Sequence, residues 1–454
     1  MRILAKSKLP EVLDLFSGCG GLALGFQQAG YRITHGVELM ENANRNANYN
    51  LCLKQGRPAN HICGDVTQMA DDVFLPEVGR HGCVVIGGPP CQAYSLIGRA
   101  KINSVRDEGT FLDDHRGFLF EDFLRLALGH HARAVVMENV RQCTAFGHMN
   151  VPEVAAERLE QAGYTVFWTI LNAADFGVPQ IRERMILFAV KGRVTPVLPR
   201  PTHSGRRYGG LYAGTGLKAF EACPHYLPAR RRMRRDPAWL TVEEAIGDLP
   251  SLRTRPDEPY QANNMNLLLP YEYEPENAYQ AAMRGGEEYV SGNVYHNNPR
   301  DYAIFDRMEE GDTYPRAAGI AREIFAERRR RTGVQEGTPE WEKLWRETVP
   351  PYSVDKFLSK WKRIERDKPC YTLTAHLSLD SYSHIHPWEP RGISVREAAR
   401  IQSFPDDYVF QSNMGDAFKQ IGNSVPPLMA EAIATALRKM LGEQEDSAWQ
   451  NVQI

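Results

Sequence analysis

The chain has 454 residues, of which 43% are hydrophobic and 24% charged, a composition typical of folded proteins with two or three domains. Its formal net charge of −2 argues against a generally basic nucleic-acid binder, so any contact with phosphates needs locally concentrated arginine. No apolar stretch approaches the ~20 residues that cross a bilayer, and the N-terminus runs into a strand without room for a secretory signal. The eight cysteines include no Cys-x-x-Cys pair, so we expect a cytoplasmic, reduced protein without a disulfide framework or a metal site.

Between residue 11 and about residue 190, short apolar strands alternate with amphipathic helices. Such alternation is typical of α/β folds, in which a mostly parallel sheet carries helices on both faces. The predicted strands are Val12–Phe16, Arg32–Val37, Cys83–Ile86, Ala134–Glu138, Thr165–Leu171 and Met185–Val190, and the predicted helices are Leu22–Ala29 and Glu121–Leu128.

The composition changes near residue 195. Residues 196–236 are rich in Pro, Gly, Arg and Tyr, and the strand–helix alternation is lost until about residue 370. After Pro390 the pattern becomes helical again, over Ser394–Ser403, Asp416–Gln420 and Pro427–Leu441. We therefore predict a discontinuous α/β domain formed by residues 1–195 and 386–454, and a second, smaller and irregular domain formed by residues 196–385.

The segment Gly88-Pro89-Pro90-Cys91-Gln92 follows the apolar strand Cys83–Ile86. The two prolines stiffen the loop, and open α/β sheets bind their ligands beyond the carboxyl ends of their strands. A thiol held there suits a covalent nucleophile, although Pro-Pro-Cys alone also fits a structural turn. Amino-group methyltransferases carry an aromatic residue at this place of a related motif, so the cysteine favours methylation of a ring carbon instead.

A glycine-rich turn, Asp14-Leu15-Phe16-Ser17-Gly18-Cys19-Gly20-Gly21-Leu22, follows the first strand. Its spacing is not the Gly-x-Gly-x-x-Gly of dinucleotide-binding proteins, and Asp14 would repel a pyrophosphate. The carboxylate suits instead the cationic amino-acid end of S-adenosylmethionine. Glu38 and Asp65 follow further strands and are predicted to accept hydrogen bonds from its ribose hydroxyls and adenine amino group, although isolated acids are more often surface residues.

Two more polar segments accompany predicted strands. Glu138 closes an apolar strand, where burial would raise the pKa of its carboxyl and make it a proton donor near neutral pH. The alternative is a helix-cap acid. Gln180, Arg182 and Arg184 alternate along the start of the next strand, so they are predicted to share one face and to offer two guanidiniums to a carbonyl oxygen and a phosphate.

Two arginine runs supply local positive charge. The run Arg328–Arg331 follows Glu323 and Glu327, so a solvated helix face balanced by these acids is as good an interpretation as phosphate contact. The other run contains no acid and follows a Gly- and Pro-rich stretch, which favours phosphate contact; it consists of Arg230, Arg231, Arg232, Arg234 and Arg235.

These segments resemble the motifs of the DNA (cytosine-5)-methyltransferase family, in the same order and over nearly the whole chain. Asp14–Gly21 resembles the cofactor motif, Pro89–Gln92 the nucleophile motif, and Glu138–Val140 the acid motif. The remaining matches are Gln180–Arg184 with the base-clamping motif, Arg116–Phe120 with one that lends the cofactor an apolar contact, Ser394–Pro405 with the penultimate motif and Gln420–Pro426 with the last.

The resemblance implies a Rossmann-like S-adenosylmethionine-dependent fold with a target-recognition domain, and a cytosine flipped out of the duplex. In the implied reaction Cys91 adds to C6, Glu138 acts on N3, and Arg184, supported by Arg182, holds O2. The implied cofactor contacts are Asp14, Phe16, Ser17, Gly18, Gly20, Gly21, Leu22, Glu38, Leu39, Asp65, Val66, Pro90, Leu119, Asn423, Ser424 and Val425. The implied DNA contacts are Gln92, Ser95, Gln180, Arg231, Arg232, Arg234 and Arg235.

The implied partner is double-stranded DNA, acted on by a monomer, with a cognate restriction endonuclease or defence-system proteins as further candidates. The stretch Gln92–His115 is longer than the family minimum for the loop that closes over the flipped base, which leaves its contacts undefined. Three alternatives stay open. A tRNA cytosine-5 methyltransferase usually has a smaller variable region, the intact Cys91 and Glu138 disfavour a silent DNA-binding homologue, and the glycine spacing disfavours a nicotinamide dehydrogenase.

Overall fold

The computed structural model describes residues 10–75, 82–90, 118–146, 149–205, 217–230, 236–252, 264–355 and 360–442. The chain divides into two compact units. The first comprises Met1–Leu240, Gln402–Phe404 and Ser424–Ile454, and the second comprises Thr241–Ile401 and Pro405–Asn423.

The units divide the chain after Leu240 and after Ile401, whereas the predicted domain boundaries follow residues 195 and 385. Residues 196–240 belong to the first unit, where a β-bridge joins Trp168 to Tyr226. Residues 386–401 belong to the second unit, where the buried side chains of Arg391 and Glu397 form an ion pair at 2.7 Å. The assignment of catalysis and DNA recognition to separate domains stays a prediction.

The first unit is built on a central sheet. Its strands are β1 (Glu11–Leu15), β2 (Arg32–Glu38), β3 (His61–Cys63), β4 (Cys83–Gly87), β5 (Ala134–Val140), β6 (Tyr164–Asn172), the short β7 (Gln180–Ile181) and β8 (Glu183–Lys191). All except β7 form one sheet in the order β3-β2-β1-β4-β5-β8-β6. The pairs from β3 to β5 are parallel, and β8 is antiparallel to β5 and β6. The predicted α/β class with a mostly parallel sheet is confirmed.

Helices occur in both units. Within the described ranges they are α1 (Gly21–Gln28), α2 (Glu41–Leu51), α3 (Leu119–Gly129), α4 (Val151–Gln161), α5 (Val242–Ile246), α6 (Ala278–Arg284), α7 (Tyr302–Arg307), α8 (Tyr314–Thr332), α9 (Pro339–Thr348), α10 (Val395–Ile401), α11 (Met414–Asn423) and α12 (Pro427–Met440). Short 3-10 helices cover Leu53–Gln55, Val66–Gln68, Arg141–Ala145, Ala173–Phe176, Leu217–Phe220 and Ala375–Ser378. None of these helices has the length and apolar character needed to cross a membrane.

Helices cover both faces of the sheet in the first unit. Successive side chains of a strand point to opposite faces, so the neighbours Val12 and Leu13 belong to two different hydrophobic clusters. The cluster that contains Leu13 includes residues of α3 and α4, and the cluster that contains Val12 includes residues of α1 and α12. The predicted arrangement of helices on both faces is therefore confirmed.

The second unit has a separate core. Buried side chains of α7 and α8 pack around Trp361, and Trp341 and Trp345 of α9 stack on each other with ring centroids 5.6 Å apart. Phe325 of α8 meets both tryptophans edge-on. Its described strands are two residues long: β9 (Leu269–Pro270), antiparallel to β10 (Tyr289–Val290), and β11 (Cys370–Tyr371). The predicted loss of strand–helix alternation in this part of the chain is confirmed.

Candidate active site at the carboxyl edge of the sheet

The predicted site residues follow neighbouring parallel strands. Asp14 lies in β1, Glu38 ends β2, Asp65 follows β3, the segment Gly88–Pro90 follows β4, and Glu138 lies near the end of β5. Because these strands are parallel, their carboxyl ends meet at one edge of the sheet. The structure therefore brings the predicted cofactor residues and the predicted acid to the same edge.

The turn after β1 has a backbone conformation that glycine makes accessible. Gly18 and Gly20 have φ values of 54° and 88°, in the left-handed region where most side chains are strained, and Phe16 adopts φ 58°. The Gly20 N–H donates to the Ser17 carbonyl at 2.8 Å, which closes the turn. Helix α1 begins directly afterwards at Gly21, so its first backbone N–H groups lie at the same edge.

The Glu38 carboxylate joins this turn to the loop after β2. Its Oε2 accepts from the Gly18 N–H at 2.8 Å, and its Oε1 accepts from the Met40 N–H at 2.9 Å. The next side chain, Leu39, is 68% exposed. A fixed carboxylate beside an exposed apolar side chain suits a ligand that has both hydroxyl groups and an aromatic ring.

The surroundings of the Asp14 carboxyl group show whether these residues fit a cationic cofactor. Its carboxyl group is buried, and neither of its oxygens has a hydrogen-bond partner among the described residues. Burial, and then the negative charge of Glu38, raises the pKa of Asp14 well above its ordinary value. An ammonium group beside Asp14 would satisfy the buried carboxylate, so the residues present fit the amino-acid end of S-adenosylmethionine.

Asp65 and Leu119 lie near a second part of this edge. Asp65 Oδ1 accepts from both the N–H and the hydroxyl of Thr67, at 2.9 and 2.8 Å. The buried Val66 accepts at its carbonyl from Arg125 at 2.9 Å. A cavity of about 430 Å³ lies between Thr67 and Leu119, the first residue of α3. The cavity is lined mostly by polar and charged side chains, and neither Asp65 nor Val66 lines it.

The C-terminal segment returns to the turn after β1. A Cβ added to Gly21 would lie 2.5 Å from Val425 O and 3.1 Å from Phe404 Cζ, and closer still to Ser424 Oγ. The Ser424 side chain also hydrogen-bonds with the Cys19 thiol, whose pKa burial raises to about 12. Ser424 and Val425 therefore pack against the turn with no room for a side chain at Gly21.

Glu138 lies within β5 and not at a helix end, so the helix-cap alternative is wrong. Burial raises the pKa of its carboxyl, while the guanidiniums of Arg184 and Arg182 act in the opposite direction. Arg184 Nε lies 2.9 Å from Glu138 Oε1, and both side chains are about nine-tenths buried. The arrangement fixes a carboxyl group whose protonated form is favoured by burial.

The loop that leads to Cys91 rests on this acid. A Cβ added to Gly88 would lie 2.8 Å from Glu138 Oε2, so only a glycine leaves room for the carboxyl group there. The Asn139 side chain donates to the Pro89 carbonyl at 3.2 Å, which holds the loop against the end of β5. The residue that precedes Cys91 therefore belongs to a loop in contact with the predicted acid.

Three further predicted cofactor residues differ in burial. Leu22 is buried in α1, Pro90 is half-buried, and the exposed Asn423 ends α11 in the second unit. In the parts of the chain that the structure describes, no cluster of three or more His, Cys, Asp or Glu side chains is arranged to hold a metal ion. The predicted residues outside the described ranges are Cys91, Gln92, Ser95, Arg231, Arg232, Arg234 and Arg235.

The strand predicted to run from Gln180 to Arg184 is interrupted at Arg182, so the prediction of one regular strand is wrong. The Arg182 N–H donates to Asn172 Oδ1 at 3.1 Å, and its carbonyl accepts from the Ala173 N–H at 2.9 Å. The second bond continues the β6–β8 register beyond the Asn172–Glu183 pair, whereas the first gives the Arg182 N–H to a side chain and not to the ladder. The strand accordingly ends as β7 and restarts as β8.

The Gln180 and Arg182 side chains point into buried hydrogen bonds. Gln180 Nε2 donates to Gln402 Oε1 at 2.5 Å, and Arg182 Nη2 donates to the Ser424 carbonyl at 2.9 Å. Gln180 is fully buried, so its predicted contact with DNA would require this bond to open. Sequence reasoning gave Gln402 no role, and its position inside the penultimate motif was the one available signal.

The run Arg328–Arg331 ends α8, which confirms its helical position. The acids expected to balance it pair with other arginines: Glu323 with Arg316 at 3.2 Å and Glu327 with Arg307 at 2.8 Å. The hydrogen bond from Arg307 lowers the pKa of Glu327 and the charge of Arg330 also lowers it, so the interpretation as a solvated helix face balanced by acids stays a prediction.

The chain is similar to known methyltransferases. A sequence model described as C-5 cytosine-specific DNA methylase matches residues 11–439. The chain is 45% identical over 441 residues to a protein of Oceanobacillus iheyensis assigned as a type II methyltransferase, covering 95% of this chain and 96% of the relative. It is 30% identical over 454 residues to the type II methyltransferase M.XorII of Xanthomonas oryzae, covering 96% and 86%. A crystal structure of an E. coli prophage protein assigned as a DNA modification methyltransferase shares the fold, with TM-score 0.64, 22% identity, and coverage of 96% of this chain and 100% of that one.

Proposed function

The chain belongs to the C-5 cytosine-specific DNA methylase family, and we propose that it methylates C5 of a cytosine within a specific sequence of double-stranded DNA. It is an enzyme, a DNA (cytosine-5-)-methyltransferase. The observation that carries the mechanism is the buried Glu138 carboxyl, which pairs with Arg184 and lies against the Gly88–Pro90 loop that leads to Cys91.

Cytosine C5 is too weak a nucleophile to attack a methyl sulfonium directly. In the proposed reaction the Cys91 thiolate forms a bond to C6, and Glu138 donates a proton or hydrogen bond to N3, so electron density accumulates at C5. S-adenosylmethionine supplies the electrophilic methyl group. After transfer, a base removes the C5 proton, the C6–S bond breaks to release the Cys91 thiolate, and the N3 proton returns to Glu138, which restores the neutral aromatic ring.

Glu138 has to carry a proton when the base arrives, and its burial favours that form. Arg184 Nε lies 2.9 Å from Glu138 Oε1, and we propose that Arg184 donates to O2 of the base. Arg182 supports the site through the Ser424 carbonyl. The target carbon is inaccessible inside a duplex, so the cytosine is flipped out before these groups act.

The proposed cofactor contacts follow from the chemistry of each side chain. The unsatisfied Asp14 carboxylate would hold the amino group of S-adenosylmethionine, and Glu38 would accept from the ribose hydroxyls. Asp65, whose Oδ1 holds Thr67, would present Oδ2 to the adenine amino group. The apolar or small residues proposed to line the same pocket are Phe16, Gly18, Gly20, Gly21, Leu22, Leu39, Val66, Pro90, Leu119 and Val425, with Ser17 and Ser424 as polar contacts.

We propose that DNA recognition lies outside the sheet, in residues 196–385, with phosphate contact from Arg231, Arg232, Arg234 and Arg235. The names of the relatives, type II methyltransferases, support a role beside a cognate restriction endonuclease. Bisulfite sequencing of DNA from an expressing host that lacks other methylases would identify the recognition sequence.

DNA containing 5-fluorocytosine tests the covalent step, because fluorine cannot leave C5 as a proton does. The wild-type enzyme should be trapped at Cys91, and Cys91→Ser should be neither trapped nor active. Cys223→Ser, which alters a half-buried thiol at a different position of the chain, should behave as the wild type. A trapped peptide that contains a different cysteine contradicts the proposal. Methylating duplex DNA and tRNA in parallel separates it from the tRNA methyltransferase alternative.

A further inference from the structure

Three consecutive residues, Gln402, Ser403 and Phe404, belong to the first unit, although the chain on either side of them belongs to the second. All three are buried, and Ser403 adopts φ 63° without being a glycine. A side chain in the left-handed region is strained and persists only where its surroundings determine the backbone. The Ser403 hydroxyl accepts from the Leu428 N–H at 3.3 Å, at the beginning of α12.

Both ends of the Gln402 amide are used within the first unit. Its Oε1 accepts from Gln180 Nε2 at 2.5 Å, and its Nε2 donates to the Ser424 carbonyl at 2.6 Å. The same carbonyl accepts from Arg182 Nη2 at 2.9 Å. Gln402 and Gln180 have no exposed surface and Arg182 has 1%, so water does not compete for these bonds.

Ser424, whose carbonyl accepts two of these bonds, also contacts the turn after β1. A Cβ added to Gly21 would clash with Ser424 Oγ and would lie 3.1 Å from Phe404 Cζ. Arg182 and Gln402 therefore hold the Ser424 carbonyl by hydrogen bonds, while the Ser424 hydroxyl lies against Gly21 in the proposed cofactor turn. A change at Gln402 would remove its hydrogen bond to the Ser424 carbonyl and leave the contact between the Ser424 hydroxyl and Gly21 in place.

We propose that Gln402 is a positioning residue for methyl transfer. It fixes the Ser424 carbonyl and the Gln180 amide, and through them the guanidinium of Arg182 relative to the turn at Gly21. This inference rests on the proposed function, because it assigns to Gln402 the alignment of groups that act on the base and the methyl donor. Gln402 itself touches neither of them.

Gln402→Met tests the inference, because methionine has nearly the same length and can make neither hydrogen bond. The matched control is Gln280→Met in the second unit, where a fully buried glutamine accepts from the Glu276 N–H at 2.7 Å. With DNA and S-adenosylmethionine saturating, Gln402→Met should slow single-turnover methyl transfer by about ten- to a hundredfold, since small misplacements of reacting groups have effects of that size. Gln280→Met should keep the wild-type rate.

Gln402→Glu keeps the inference testable if the methionine variant does not fold. An ionised glutamate cannot donate to the Ser424 carbonyl, whereas a protonated one has both a donor and an acceptor. Its rate relative to the wild type should therefore rise as the pH falls. A wild-type rate in Gln402→Met, or a glutamate variant whose relative rate does not change with pH, would overturn the inference. Trapping of the wild-type enzyme at Cys91 is a separate readout, so the proposed function can hold while the inference fails.

Discussion

Gly21→Ala puts the contact between the turn and the C-terminal segment to a quantitative test. Gly21 is the first residue of α1 and has no positive φ, so helix propensity alone would favour alanine by about 0.5–1 kcal/mol. The new Cβ would lie 2.5 Å from the backbone oxygen of Val425, which cannot rotate away. Overpacking of this kind costs about 1–3 kcal/mol, so the net loss in the free energy of unfolding should lie between about 0 and 2.5 kcal/mol, with a central value of about 1 kcal/mol.

Two other glycines provide matched controls. A Cβ on Gly25 would lie 2.5 Å from Pro427 O and 2.6 Å from Glu431 N, between α1 and α12, so Gly25→Ala should lose a similar amount. Gly25 lies one turn of helix away from the proposed cofactor site, and the affinity for S-adenosylmethionine should survive. Gly319 in α8 has nothing within 4 Å of its added Cβ, so Gly319→Ala should gain about 0.5–1 kcal/mol.

Urea unfolding and calorimetric titration with S-adenosylmethionine measure the two effects separately. Gly21→Ala should lose both stability and cofactor affinity, Gly25→Ala stability alone, and Gly319→Ala neither. If Gly21→Ala were as stable as the wild type and bound the cofactor equally well, the close packing of Ser424 and Val425 against the turn would be refuted. Equal loss of cofactor affinity in Gly25→Ala would show that the binding effect only reports instability.

Three further outcomes are expected. Asp248→Ala removes the carboxylate that pairs with the buried Arg400 and Arg284, and urea unfolding should show a loss of about 3 kcal/mol, because Arg400 keeps Asp406 whereas Arg284 loses its acid partner. Burial lowers the pKa of His225, but its contacts with Glu153 and Glu160 raise the pKa more, so the protonated imidazolium stabilises the folded protein. This stabilisation is complete below about pH 6.5 and is lost as the pH rises through the folded-state pKa. His225→Gln should accordingly destabilise the protein more at about pH 6 than at about pH 9. Neutralising four arginines should reduce the slope of log affinity against log salt by about 0.9 for each phosphate that they neutralise in the wild type, without changing cofactor affinity; they are Arg231, Arg232, Arg234 and Arg235.

Strand ends could be predicted where an apolar run is followed by an acid. That pattern located Glu138 after the apolar run Ala134–Met137, because a strand buried on both faces has to be apolar until it emerges at the edge of the sheet. It could not locate β3, which is three residues long and has Ile62 40% exposed. It also could not predict α2, whose buried face contains Asn46 and Asn50, because asparagine side chains give no apolar periodicity.

Contacts between distant segments were beyond the reach of local patterns. The Gln180–Gln402 bond joins residues 222 positions apart, and the Arg182–Ser424 bond joins residues 242 positions apart. The alternation of Gln180 and Arg182 predicted one regular strand, but the strand is interrupted at Arg182, whose N–H bonds with the Asn172 side chain. Periodicity describes which face a side chain occupies, and it carries no information about what covers that face.

The penultimate motif shows why a motif match does not by itself assign a role to each of its residues. Arg400 is fully buried and pairs with Asp248 and Asp406 inside the second unit. A loss of activity after substitution of Arg400 would therefore report a disrupted fold, because breaking such a network exposes an uncompensated charge to a dry interior. Gln402 is uncharged, and its bonds lie in the first unit. The two positions differ in what their substitution should change: unfolding for Arg400, and the rate of methyl transfer in a folded enzyme for Gln402.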